Sequence, residues 1–231
     1  MGDDRLMVVR SVTPNRGTSD DSMGIARATR DGSLFSADWL LGLAMEGRIF
    51  NATGGSATTP ITFGAGAIDT TEPDLYVIVP DGTAIIPLEI RVYMEAFGTS
   101  AQFECMAACG TGGSTSAPTG GTLVTSTNRR TDAPNTSNCT IYSNVDASGA
   151  TYMTTNVSEF WRDGQQFAIT KTAGSATAAA LDPFLFVWKY SDSMAPPVLM
   201  GASQLAIFAA SQAGTGFITF VYAEVPENSI G

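Results

Sequence analysis

The sequence predicts an all-β chain, an antiparallel sandwich or barrel, with one short helix and an extended polar N-terminal stretch. Three observations carry this. Short apolar runs recur between turn signals about every 8–12 residues, the spacing of all-β domains. The turns are marked by 24 glycines and 11 prolines among abundant Ser and Thr. One run, Ile85 to Phe97, alternates strictly: Leu88, Ile90, Val92 and Met94 fall between Glu89, Arg91, Tyr93 and Glu95. Successive side chains of a strand point to opposite faces, so this run predicts one apolar and one polar face.

The elements follow in order. Residues 1–35 read as an extended polar start, with Leu6 to Arg10 and Ile25 to Arg30 as short strands, held by neighbouring subunits. Residues 37–46 are the helix candidate. Ser36 can cap it, Asp38 suits its first turn, and Gly47 can end it. Trp39, Leu40, Leu43 and Ala44 form its apolar stripe. Strands are then expected at Arg48 to Thr53, Thr59 to Phe63 and Leu75 to Val79, the last running into the turn Pro80-Asp81-Gly82-Thr83. After the alternating strand, Phe103, Cys105, Ala107 and Cys109 share one face of a further strand. Residues 110–140 read as a long Gly/Ser/Thr-rich loop with one short strand at Gly121 to Thr125. Loops of this length are functional or ordered by a neighbour. In the last third, Glu159 to Arg162 leads to a turn at Asp163-Gly164 and a strand from Gln166 to Lys171. Phe184 to Tyr190 follows, and Gln204 to Ala210 with Phe217 to Glu224 look like a terminal hairpin. No interdomain linker stands out. The expected division is an arm with a short helix over 1–47 and a sandwich domain over 48–231.

Composition excludes several kinds of chemistry. The 231 residues contain no histidine, which removes Ser–His–Asp and Cys–His arrangements and His-ligated metals. The net charge is −10 and only two lysines occur, Lys171 and Lys189. Phosphate neutralisation needs clustered cations, so no nucleic acid is expected as a partner. The one adjacent basic pair, Arg129–Arg130, reads as part of a solvated loop. The start has no basic-then-apolar export pattern, and no apolar run approaches the roughly 18 residues of a spanning helix. No membrane partner is therefore expected. Three cysteines are too few for a disulfide framework and read as small core hydrophobes made in a reducing cytoplasm. No P-loop, dinucleotide fingerprint or nucleophile elbow is present. Glu159 beside Phe160 and Trp161, with Asp163 nearby, is the one acidic–aromatic cluster. A structural tryptophan beside a turn is its simpler reading, and the Glu89, Arg91, Glu95 row reads as a solvated strand face. No enzymatic activity, cofactor or metal is expected.

Several stretches carry a resemblance. They are Ser33-Leu-Phe-Ser-Ala-Asp-Trp39, Glu46-Gly-Arg-Ile-Phe50, Val79-Pro-Asp-Gly-Thr-Ala-Ile-Ile-Pro-Leu-Glu-Ile90 and Gly216-Phe-Ile-Thr-Phe-Val-Tyr-Ala-Glu-Val-Pro226. Together they resemble virion structural proteins of tailed phages, including marine and cyanobacterial ones. The resemblance implies a jelly-roll β-sandwich that decorates or cements a capsid, often as a trimer, with the major capsid protein as partner. It places the chain on the outer surface of the virion, after synthesis in the host cytoplasm. The alternatives are a single jelly-roll major capsid protein, a carbohydrate-binding attachment module with Trp161 and Tyr152 lining a groove, and a hydrolase with paired carboxylates. Balanced charge over residues 1–35, five Arg against five Asp, argues for the outer surface rather than a genome-binding arm.

Two strands are apolar on both faces, Phe184 to Tyr190 and Phe217 to Tyr222. Such a strand is either central and covered twice or covers a partner subunit. Phe184, Phe186, Trp188, Phe217, Phe220 and Tyr222 are accordingly the candidate residues for an oligomer or capsid interface.

Overall fold

The structure, a computed structural model, describes residues 38–64, 66–96, 102–166, 185–193, 195–210 and 214–229. The expected strands before residue 31, the Ser36 cap, Phe97, Phe184 and most of 166–171 lie outside these.

Helix α1 (Trp39–Met45) opens the described chain. The cap is Asp38 rather than the expected Ser36, so Asp38 stands before the first turn and not in it; its Oδ1 accepts the backbone N–H of Leu40 at 3.1 Å, satisfying one of the orphan donors. Gly47, at φ +67°, ends the helix in the left-handed region that favours glycine. A Cβ there would lie 2.4 Å from Pro134 Cγ, so the site needs glycine twice over.

Thirteen strands follow among the described residues. They are β1 (Ile49–Gly54), β2 (Ile61–Thr62), β3 (Leu75–Val79), β4 (Thr83–Ala96), β5 (Gln102–Thr111), β6 (Thr122–Val124), β7 (Thr127–Asn128), β8 (Thr140–Ser143), β9 (Thr155–Gln166), β10 (Leu185–Lys189), β11 (Leu199–Met200), β12 (Ser203–Ala210) and β13 (Thr215–Pro226). They build two antiparallel sheets. One is ordered β10-β4-β13-β1-β7, with β11 on β4 and β2 on β13; the other is β6-β8-β3-β12-β5-β9. The all-β sandwich is thus observed. Among the long strands the pairing is nested: β1 pairs with β13, β3 with β12, β4 with β10 and β5 with β9. Among the described residues these four pairs make an antiparallel ribbon whose strand pairs alternate between the two sheets.

The core between the sheets is filled by alternate residues. Phe50, Ile90, Val92, Met94, Phe186, Trp188, Ile218, Phe220 and Tyr222 come from one side. Leu75, Val77, Phe103, Cys105, Cys109, Trp161, Leu205 and Ile207 come from the other. Each such side chain contributes about 1.5–3 kcal/mol by leaving water. Cys105 and Cys109 behave as the sequence predicts, buried on the face of Phe103 and Ala107, and half-buried Cys139 packs against the same core. Burial pushes the Cys109 thiol up to about 11 and raises Cys105 and Cys139 as well, so none is primed as a nucleophile.

Both central strands are covered twice. The outer residues Val221, Ala223 and Val225 of β13 pack with Leu43 of α1 and with Ile49, Ala84 and Leu88. Every residue of β12 is buried. Its outward Ala206 and Phe208 join Tyr76, Ile78 and Met106 beneath Val145, Ala150 and Met153 of the β8–β9 connection.

Three expectations are corrected. Leu88 does not share a face with Ile90, Val92 and Met94. The β4–β13 register slips between Val221 and Tyr222, which oppose Glu89 and Pro87, and this bulge turns Leu88 outward towards α1. Pro87 donates no ladder hydrogen bond, which is why the irregularity sits there. The terminal hairpin does not form, because β12 and β13 are central strands of different sheets. Asp163-Gly164 is no turn. It lies within β9, paired with Cys105 and Glu104, and Asp163 Oδ1 accepts the Gly164 N–H at 2.7 Å. The turn at Pro80 to Thr83 does form, with Gly82 at φ +77°.

A buried acid anchors the ribbon where β3 begins. Asp74 accepts the Ala209 N–H at 2.7 Å and the Gly64 N–H at 3.2 Å. Burial outweighs these donors and pushes its carboxyl up to about 7.

Candidate interaction surface

The six sequence-derived interface residues do not form a surface. Phe186, Trp188, Phe220 and Tyr222 are buried between the two sheets. Phe217 is half-buried and packs on Tyr93 at 6.4 Å between ring centroids. Phe184 lies outside the described residues. β13 is apolar on two faces because it is covered twice within one chain, whereas β10 is an edge strand that buries Phe186 and Trp188 inward and leaves Leu185 exposed on its other face. For the four buried residues the interface reading therefore gives way to a core one.

The acidic–aromatic cluster is also placed. Glu159 accepts from Arg162 Nε at 2.7 Å, and Arg162 additionally bonds Glu104. Arg162's hydrogen bond holds the Glu159 carboxyl below its usual range, the reverse of what a general acid needs. Trp161 is buried, and half-buried Tyr152 packs on Phe208 at 6.4 Å, so the two do not line an open groove. On the outer face of β4, Arg91 pairs with Glu89 at 2.9 Å. Among the described residues no three acids or thiols are placed to hold a metal ion, and no helix is long and apolar enough to cross a membrane.

Two features that the sequence did not reveal define the face around α1. The first is a polar strap, residues 126–138, which crosses from the β6 edge of one sheet to β7 on the other. It holds the end of α1. Asn128 Nδ2 donates to Gly47 O at 2.7 Å, Asn135 Nδ2 to Glu46 O at 2.9 Å, and Arg130 Nη1 to Met45 O at 2.7 Å. It also satisfies a buried carboxylate. Glu224 Oε2 accepts from Ser137 Oγ at 2.6 Å, and Oε1 accepts from Asn138 N at 3.0 Å and Nδ2 at 2.9 Å. The Tyr222 hydroxyl lies 2.7 Å from Ser137 Oγ and donates to Ser126 Oγ at 2.9 Å. A polar cavity of about 280 Å³ opens beside Glu224, Arg48 and Asn135. With these donors bound to it, the carboxylate acts as a fastener for the strap. The only sequence signal was a lone acid in Phe-Val-Tyr-Ala-Glu-Val.

The second feature is a groove of about 530 Å³ between α1 and the outer face of the β4–β13 sheet. Leu40, Ala44, Ile49, Leu88 and Val221 line it, and Tyr190 closes one end with Trp39 against its ring at 5.8 Å. Arg129, Lys189, Asp38 and Glu89 stand at its edge. The groove is apolar at its floor and charged at its rim, the composition of a binding surface. Comparison with protein-family models, with curated proteins and with solved structures finds no match to this chain.

Proposed function

We propose that the chain is a virion structural protein that decorates or cements a capsid through protein–protein contacts, as a homo-oligomer, most simply a trimer, on the outer shell surface. The observation that carries this reading is the nested pairing of β1 with β13, β3 with β12, β4 with β10 and β5 with β9. First strand with last, second with second-to-last, wrapped into two sheets, supports a jelly roll, an architecture used by capsid and lectin domains. Fold alone does not carry function, so the surface must support it too. The groove beside α1 and the apolar outer side of that helix give the molecule a surface suited to contacts. The net charge of −10 suits an outer position away from the genome. The lectin reading gains nothing from Trp161 and Tyr152, which are packed into the protomer.

The test is reconstitution. Purified protein is mixed with capsids that lack it, sedimented, and the bound copies are counted by quantitative mass spectrometry. A saturable, fixed ratio to the major capsid protein is expected. Absence of saturable binding, or binding that follows added glycan instead, refutes the proposal.

A further inference from the structure

Helix α1 is Trp-Leu-Leu-Gly-Leu-Ala-Met, with no charged residue in its span. A helix apolar all round is normally buried all round. Here only one side is covered. Leu43 is 3% exposed, whereas Trp39 is 43% and Leu41 and Met45 are each 53% exposed. The remaining exposed large apolar side chains are spread over β4, β6, β9, β10 and the segment before β11. Among the described residues, Leu41 and Met45, four apart on α1, share its outer face and form a short apolar ridge, while Trp39 lies on the opposite side against Tyr190. That ridge adjoins the groove, and Leu41 belongs to both.

The charges at the groove are not balanced. Glu89 is engaged by Arg91, and the exposed Asp38 uses one oxygen, Oδ1, for the helix N-terminus. Arg129 and Lys189 are exposed and make no side-chain hydrogen bond or ion pair among the described residues. In a chain of net charge −10, two unengaged cations beside an apolar groove call for an acidic, apolar occupant.

We propose that the occupant is a second copy of this chain. The ridge of Leu41 and Met45 on one copy enters the groove of another, bringing the exposed Asp38, on the same helix face, to Arg129 and Lys189. Ridge and groove lie side by side on one surface, so the patch is complementary to itself and closes a two-fold pair of identical subunits. Elsewhere two acidic copies repel. At this patch the facing surfaces are uncharged or opposite in sign. A small ligand in the groove would leave the ridge in water, and a basic partner would meet both cations. This inference rests on the self-association clause of the proposed function and relocates the contact from the strand faces to α1.

The experiment measures the molar mass of the full chain by sedimentation equilibrium up to about 100 μM, a range that detects weak contacts. Three proteins are compared: wild type, Leu41→Asp with Met45→Asp, and Arg129→Glu with Lys189→Glu. Wild type should exceed the mass of one chain. Each double variant should weaken association at least roughly tenfold, since apolar anchors and complementary charges both contribute. Circular dichroism should show unchanged strand content. If the helix variant loses its fold, the charge variant, altered only at exposed positions, carries the test alone. A monomeric wild type, or association that survives the charge reversal, overturns the inference. Capsid binding is measured separately on the same proteins. Loss of association with retained capsid binding leaves the decoration reading standing, and an associating protein that ignores capsids refutes that reading alone.

Discussion

Asp74 makes the folded protein sensitive to pH in an unusual direction. Its carboxyl titrates near 7 in the folded chain, against an ordinary value of 3.8, because burial outweighs the two N–H donors from Ala209 and Gly64. The folded state therefore holds a proton that the unfolded state has released. A raised folded pKa gives stability that is present below the unfolded pKa and lost as pH rises through the folded one. Between pH 5 and 8 the loss from this one group is about 2.5 kcal/mol, from 1.36 kcal/mol per pKa unit. The perturbation is Asp74→Asn, which stays neutral throughout. Its amide presents one acceptor to two N–H donors, so it carries a roughly constant cost of about 1–3 kcal/mol. The assay is urea unfolding of both proteins at pH 5 and pH 8. The wild type should lead the variant at pH 5, and that lead should shrink by about 2.5 kcal/mol, or reverse, at pH 8. Other carboxylates, such as Glu159 and Asp69, are common to both proteins and drop out of the difference. A wild-type-minus-variant difference that does not change with pH would refute the reasoning.

Glu224→Ala should destabilise the chain by about 3 kcal/mol, because Ser137 and Asn138 lose the acceptor that their buried donors share. Amide hydrogen exchange should show residues 126–138 losing protection first, so removing the whole 110–140 segment should cost the fold rather than spare it. Phe220→Asp should abolish folding instead of releasing folded monomers. It places a charge at a fully buried core position, and the loss should exceed about 4 kcal/mol, seen as lost strand signal in circular dichroism.

Much of the fold was legible because strand periodicity is a local property. Leu75–Val79 appears where its five apolar residues place it, and the helix lies within the expected 37–46 and ends before Gly47, although its cap is Asp38 and not Ser36. What failed was non-local. Whether β12 and β13 pair with each other or with distant strands depends on the wrapping of the whole ribbon, and the short Ala-Gly-Thr-Gly link looks the same in either case. Leu88 was assigned by unbroken alternation, although Pro87 beside it was a visible reason for the phase to slip. The surface was less legible than the core. A strand apolar on both faces can be covered by its own chain or by a neighbour, and the covering helix lies about 180 residues away in sequence, a separation that no short-range pattern reports. Glu224 looked like ordinary strand polarity because its partners, Ser137 and Asn138, sit in a segment that reads as low-complexity loop.

The nested pairing also governs how this chain comes off the ribosome. The innermost pair, β5 with β9, closes over the shortest stretch, and each further pair adds to a ribbon already begun. Loop-closure cost alone therefore favours zipping outward from the middle of the sequence towards both ends. The outermost pair, β1 with β13, is also the centre of its sheet, since β13 lies between β4 and β1. Strands β1 and β4 are synthesised early yet have no shared neighbour until residues 215–226 emerge. A growing chain must keep those apolar edges from other nascent chains for most of its synthesis, and a chain arrested before β13 has a hole where its sheet should be joined. Closure is therefore a late, slow event of high contact order. The α1 groove, too, has its floor only once Val221 is in place, so the surface for contacts is completed by the last strand.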